Sequence, residues 1–159
     1  MHLKGIVAED FINYKEPSLF LITCYCDWKC CREGSFPESV CQNNSMNNQP
    51  ISDINNNNLI EFYRNNPITK AIVFGGLEPF MQWEELYEFI EMFRKRFSDT
   101  IVIYTGYNKD EIVDKVNQLK QFENIVIKYG RYIPNHKPHY DAVLGVFLAS
   151  DNQVAEKVS

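Results

Sequence analysis

No apolar stretch of this 159-residue chain is long enough to cross a bilayer: Ala71 to Phe74 and Ala142 to Ala149 are among the longest, far short of the roughly 20 residues a spanning helix needs. The N-terminus lacks a basic region followed by an apolar core, so neither a membrane anchor nor export is expected, and a cytoplasmic location follows. No run of Lys or Arg is present, and a formal charge of -5 with a pI near 5.2 leaves no basic footprint for nucleic acid. Neither G-x-G-x-x-G nor G-x-x-x-x-G-K-[ST] occurs, which removes the usual nucleotide-binding signatures. What is present is globular usage, 45% hydrophobic and 23% charged, at a length that suits one core. A single domain over 1–159 is expected.

Cysteine is the residue whose distribution departs most from chance. All five lie between Cys24 and Cys41, as Cys24-Tyr25-Cys26-Asp27-Trp28-Lys29-Cys30-Cys31 followed by Cys41. Thiolates are soft ligands suited to zinc and iron–sulfur clusters, and a thiol cluster in a cytosolic chain is more often metal-binding or catalytic than disulfide-bonded. The plain alternatives are buried or redox-active free thiols, or zinc. Structural zinc usually draws on two separated ligand pairs, but no second pair follows, and His136 and His139 lie far along the chain beside prolines.

Strand formers in Ser18–Thr23 (SLFLIT) lead straight into the cysteines, which places the thiols at the C-terminal end of a strand. Residues 32–58 are polar, with Gly34, Pro37, Pro50 and many asparagines, and read as a long loop holding at most a short helical turn. The cluster loop is taken as about 24–50. Alternation then sets in: a helix over 54–64, a strand over 70–74 (KAIVF), and a helix over 81–97 with Trp83, Leu86, Tyr87, Ile90, Phe93 and Phe97 at helical spacing. A strand over 100–104 follows, then an Asn108/Glu111 capping pair before a helix carrying Ile112, Val116 and Leu119. Strands over 124–128 and 142–149 complete the pattern. Such alternation predicts an α/β fold, a mostly parallel sheet with flanking helices, and ligands gathered at the strand C-terminal ends.

Gly75-Gly76-Leu77-Glu78-Pro79 follows the KAIVF strand directly. Two glycines let backbone approach a ligand, and a carboxylate there can accept from an ammonium group, although alone the segment is also an ordinary turn. Cys26-x3-Cys30 after a first strand, with this Gly-Gly-Leu-Glu-Pro turn after the next, resembles the radical S-adenosylmethionine (SAM) superfamily. Tyr104-Thr105-Gly106-Tyr107, Gly130-Arg131-Tyr132 and Ser150-Asp151-Asn152-Gln153, each after a later strand, are similar to the activating proteins of anaerobic ribonucleoside-triphosphate reductase. The resemblance runs from about Gly5 to Gln153.

The resemblance implies a partial (β/α) barrel and a [4Fe–4S] cluster on three cysteines, with SAM chelating the open iron. SAM would rest on Gly75, Gly76, Glu78, Pro79, Thr105, Gly106 and Asn152. It further implies reductive cleavage of SAM to a 5′-deoxyadenosyl radical and formation of a glycyl radical on the large subunit of an anaerobic ribonucleotide reductase. The electron donor would be a low-potential one such as flavodoxin or ferredoxin. A radical SAM enzyme acting on another small molecule or peptide, and a non-catalytic zinc or redox-sensing module, are the other readings. One departure bears on the ligands. The superfamily's Cys-x3-Cys-x2-Cys puts Glu33 where the third thiolate belongs, and a carboxylate is a poor substitute for a soft donor. The expected ligands are Cys26, Cys30 and Cys41, with Cys24 and Cys31 as alternates. Trp28 and Tyr25 are candidates to shield the metal from water.

Overall fold

The computed structural model describes all residues, 1–159. In chain order its elements are β1 (His2–Leu3), β2 (Gly5–Asp10), β3 (Ser18–Thr23), α1 (Lys29–Gly34), α2 (Asn44–Asn47), β4 (Ser52–Asp53) and α3 (Asn56–Asn65). Then come β5 (Ala71–Gly76), α4 (Trp83–Arg94), β6 (Thr100–Tyr104), α5 (Val113–Leu119), β7 (Ile125–Tyr129), β8 (His139–Asp141), β9 (Val146–Leu148) and β10 (Val154–Lys157). Six strands form the central sheet in the order β10-β7-β6-β5-β3-β2. Its four inner strands are parallel, and the two edges, β2 and β10, are antiparallel to their neighbours. This is the mixed α/β, mostly parallel architecture that the strand–helix alternation predicts.

Strand side chains alternate between faces, and each face has its own cover. Leu19, Leu21, Ile72, Phe74, Ile101, Ile103, Ile125 and Ile127 pack against the inward stripes of α3, α4 and α5 in one core. On α4 the stripe is Leu86, Phe89, Ile90 and Phe93, all fully buried; each such side chain stabilises by roughly 1.5–3 kcal/mol relative to exposure. Ala71, Val73, Val102 and Val126 face the other way and meet Tyr14, Leu144 and Leu148. That second face is covered only partly, which leaves room for a site.

Several elements differ from the sequence expectation. The run 142–149 does not join the central sheet: its Val146–Leu148 part, β9, pairs with β8 in a separate hairpin around Gly145, whose φ is +74°. The Asp141 carboxylate accepts from the N–H groups of Val143 and Leu144, both at 2.9 Å, and this local capture turns the chain back on β8 instead of along the central sheet. The last strand of the central sheet is instead β10, which like β2 is short and partly polar and carries no strong strand signal. Residues 32–58 are more ordered than a loop, with α1 continuing to Gly34, a 3₁₀ turn at Glu38–Val40, α2, and β4 paired with β1. The 81–97 helix is shorter, Trp83–Arg94, because a 3₁₀ turn led by Pro79 precedes it. The Asn108/Glu111 pair caps a 3₁₀ turn, Lys109–Glu111, rather than α5 itself. No helix is long and apolar enough to cross a membrane.

Candidate metal centre

β3 and β5 end side by side, and their ends are stitched together. Thr23 donates its hydroxyl to the Gly75 carbonyl (3.0 Å), and the Glu78 N–H donates to the Tyr25 carbonyl (2.7 Å). The cysteine segment and the Gly-Gly-Leu-Glu-Pro turn are thus neighbours by backbone bonding. Trp28, at φ +55°, turns the chain into α1, and its N–H reaches the Cys26 sulfur at 3.3 Å. Cys30 and Cys31 follow on α1, where successive residues point in different directions: Cys30 lines the cavity, and Cys31 is buried away from it.

A cavity of about 410 Å³ opens at these strand ends, within the size range of small-ligand sites. Cys26, Cys30 and Cys41 all line it, with Gly75, Gly76 and Glu78 from the β5 end and Thr105 and Gly106 from the β6 end. Cys41 arrives by its own route, at the close of the Glu38–Val40 turn, so residues 32–40 bring it to the same cavity as the other two. Of the remaining expected residues, Pro79 is buried at the start of the 3₁₀ turn and Asn152 donates to the Arg131 carbonyl at 2.9 Å; neither lines the cavity. Cys24 and Cys31 lie outside it, and all five cysteines are free thiols. His136 pairs with Asp151 at 2.7 Å, and neither histidine of the His136/His139 pair reaches the cavity.

The glycines are required where they stand. Gly76 has φ +85°, and a β-carbon there would lie 2.6 Å from the Ile22 methyl and 3.2 Å from the Met46 sulfur. One at Gly106 would lie 3.0 Å from the Cys30 sulfur. Backbone therefore forms part of the cavity wall next to a candidate ligand.

Glu78 is fully buried, and its carboxylate is already engaged: Oε1 accepts from Phe80 N–H (3.1 Å) and the Thr105 hydroxyl (2.8 Å), and Oε2 accepts from Gly106 N–H (2.9 Å). Burial pushes its pKa up to about 7 against the lowering effect of these three donors and of the Lys128 charge. Its structural task is to join the β5 and β6 loops, with lone-pair capacity left for a ligand. Lys128, in the cavity floor, donates to the carbonyls of Gly130 (3.2 Å) and Thr105 (3.5 Å) and is pushed down to about 8 by burial. Burial likewise pushes the Cys26 thiol up to about 12 and the Cys30 thiol upward, the latter opposed by the Tyr132 N–H and the charges of Arg131 and Lys128. These thiols hold their protons at neutral pH, so metal loading must displace them.

Sequence reasoning did not single out Lys128. A lysine inside the otherwise apolar run Ile125–Tyr129 was the available signal, since such a charge is buried only with a purpose or a partner. Glu33 stands at the third superfamily position but turns from the cavity to pair with Arg131.

No three His, Cys, Asp or Glu side chains lie close enough to grip one metal ion. Cys26, Cys30 and Cys41 share the lining of one cavity, and their thiolates are the soft donors that would hold an iron–sulfur cluster there. Soft sulfur donors line a glycine-walled cavity at the rim of a parallel sheet, the donor type an iron–sulfur protein of α/β fold requires. The chain belongs to the 4Fe-4S single cluster domain family, whose model matches residues 17–154. Comparison with curated proteins and with solved structures gives no match.

Proposed function

We propose that this protein is a radical SAM enzyme in which Cys26, Cys30 and Cys41 hold the cluster and the Gly75–Glu78 turn, with Thr105 and Gly106, receives SAM. The observation that carries this reading is that three cysteines, and no fourth, line one cavity together with the Gly-Gly turn. Three thiolates leave one iron free for a small-molecule chelator. When bound together, cluster and SAM supply reductive cleavage of the sulfonium carbon–sulfur bond, giving methionine and a 5′-deoxyadenosyl radical.

The chain's own residues do the positioning. The Lys128 ammonium, whose partners are two carbonyls, offers a cation to an amino-acid carboxylate. The Gly76 backbone allows close approach, and Glu78 holds the β5 and β6 loops at fixed separation while retaining acceptor capacity for an ammonium. The open face of the mostly parallel sheet supports this reading, for which the superfamily resemblance implies a partial (β/α) barrel. The partner is proposed to be the large subunit of an anaerobic ribonucleotide reductase, receiving a glycyl radical, with a low-potential cytoplasmic flavodoxin or ferredoxin as donor. A partner covering the cavity mouth would keep water and quenchers from the radical.

The test is anaerobic reconstitution, iron and sulfide quantification, then 5′-deoxyadenosine measurement with SAM and reductant, and a search for a glycyl radical signal when the reductase is added. Zinc without iron or sulfide, or a loaded cluster that forms no deoxyadenosine, overturns the reading; deoxyadenosine without a glycyl radical transfers the chemistry to another substrate. Cys26→Ala, Cys30→Ala and Cys41→Ala should each lose most bound iron, and Cys24→Ala and Cys31→Ala should keep it. Iron lost from Cys31→Ala and retained in Cys41→Ala would reverse the ligand assignment.

A further inference from the structure

Arg131 enters just after β7 and lies almost wholly buried, yet it does not line the cavity. Its guanidinium is engaged by three partners through four hydrogen bonds. Nε donates to Glu33 Oε2 at 2.9 Å and Nη2 to Glu33 Oε1 at 3.3 Å, so Glu33 is held by two prongs. Nη2 also donates to Glu111 Oε1 at 2.7 Å, and Nη1 donates to the Gly106 carbonyl. Lys29 pairs with both acids, at 3.7 Å to Glu33 and more closely to Glu111, so the four charges sum to zero. The guanidinium also lies over the Tyr107 ring, 5.6 Å from its centroid.

The geometry closes a ring. Glu33 and Cys30 sit three residues apart on α1 and therefore share a helix face. Arg131 grips the first and the Gly106 carbonyl together, and Gly106 is the residue packed against the Cys30 sulfur. The N–H of the same Gly106 is held by Glu78. α1 has only six residues and one buried side chain, Cys31, so its own packing does little to fix its rotation. Exposed ion pairs are worth little, but a two-pronged Arg–carboxylate contact made by a buried arginine is directional, even though Glu33 itself is half-exposed. A second cavity, about 460 Å³, is walled by Cys30, Glu33, Arg131 and Tyr132 among others, so space rather than close packing adjoins this face of α1.

We infer that Arg131 is a positioning residue that, through Glu33, sets the rotation of α1 and so holds the Cys30 sulfur against Gly106, facing the cavity. Glu33, the residue standing where a third cysteine is expected, is on this account the anchor of the cluster helix. The inference rests on the proposed ligand role of Cys30, but its first readout does not.

That readout is amide hydrogen exchange on the metal-free full chain. In Arg131→Met the 29–35 segment should exchange several-fold faster than in wild type, with β5 unchanged, and Arg131→Lys, which cannot present two prongs, should fall between. Glu33→Gln, at a half-exposed position, should repeat the Arg131→Met effect in weaker form and keeps the test open if Arg131→Met does not fold. The second readout is the electron paramagnetic resonance signature of the reduced, reconstituted protein, which should be shifted and broadened in Arg131→Met and partly restored in Arg131→Lys. Wild-type exchange at 29–35 in both Arg131→Met and Glu33→Gln overturns the inference, as does an unaltered signature in a loaded Arg131→Met protein. If wild type itself loads no cluster, the proposed function fails, and the exchange result alone still decides the role of Arg131.

Discussion

Gly106 stands so close to Cys30 that a single added methyl would lie 3.0 Å from the sulfur. Its conformation is not one that only glycine adopts, so the requirement is for space alone. Gly106→Ala should therefore leave the far-UV circular dichroism and urea midpoint near wild type and lower bound iron several-fold, because the thiol must yield. Glu78 permits a prediction in pH. Its folded-state pKa, about 7, lies above the ordinary 4.5, so between those values the folded metal-free chain keeps a proton that the unfolded chain has released. Its contribution is fully present below pH 4.5 and lost as pH rises to about 7, up to roughly 3 kcal/mol. Glu78→Gln lacks this decline but leaves the Gly106 N–H without its acceptor, which costs about 1–3 kcal/mol at every pH. Urea titrations should show the variant clearly weaker at pH 5 and the gap narrowing by pH 8; a constant gap would contradict the buried carboxyl account. The cysteines were legible because soft donors crowded into one segment are chemically conspicuous. Glu33 was legible only as a missing ligand, since its partner Arg131 lies 98 residues away and no local pattern encodes that pairing.

Among the elements, those with a full hydrophobic period were readable and those built from long-range capture were not. β5 and β7 are nearly continuous apolar strands, and α4 carries an unbroken inward stripe. The 142–149 run is equally apolar, and periodicity alone takes it for a strand. Its fate is decided by Asp141, whose Oδ1 takes the Val143 and Leu144 N–H groups and whose Oδ2 takes the Ala155 N–H on β10 at 3.0 Å. One carboxylate thus forms the hairpin turn and ties the hairpin to the sheet edge. Asp141→Ala should leave three N–H groups short of a partner, two of them on buried residues, and cost about 2–4 kcal/mol. Hydrogen exchange should accelerate at Val143, Leu144 and Ala155 before it does at Ile72 or Ile103; equal acceleration everywhere would show that the hairpin is not a separate unit of stability.

At the scale of the whole molecule, a self-sufficient sheet carries a segment that is not self-sufficient. The main core holds 22 buried residues and takes none of the cysteines. Between residues 24 and 50 only Cys24 and Cys31 are buried, and the polar 32–50 stretch is held at its far end by two bonds from Lys4 to the carbonyls of Asn47 and Gln49, at 2.8 and 2.6 Å, and by the β1–β4 pair. Few apolar contacts and an exposed backbone mark a region that opens at low cost. A cluster bridging Cys41 to Cys26 and Cys30 would close this stretch into a loop and add its binding free energy to the folded state alone. Anaerobic reconstitution should therefore raise the unfolding midpoint by several degrees and protect residues 32–50 from limited proteolysis. Chelation should reverse both effects while far-UV circular dichroism retains its sheet and helix signal. Cys41→Ala should show neither gain, because without that thiolate the cluster has no hold on the stretch. Equal resistance of the metal-free and loaded chains would mean that residues 32–50 fold on their own and that Cys41 is placed without metal.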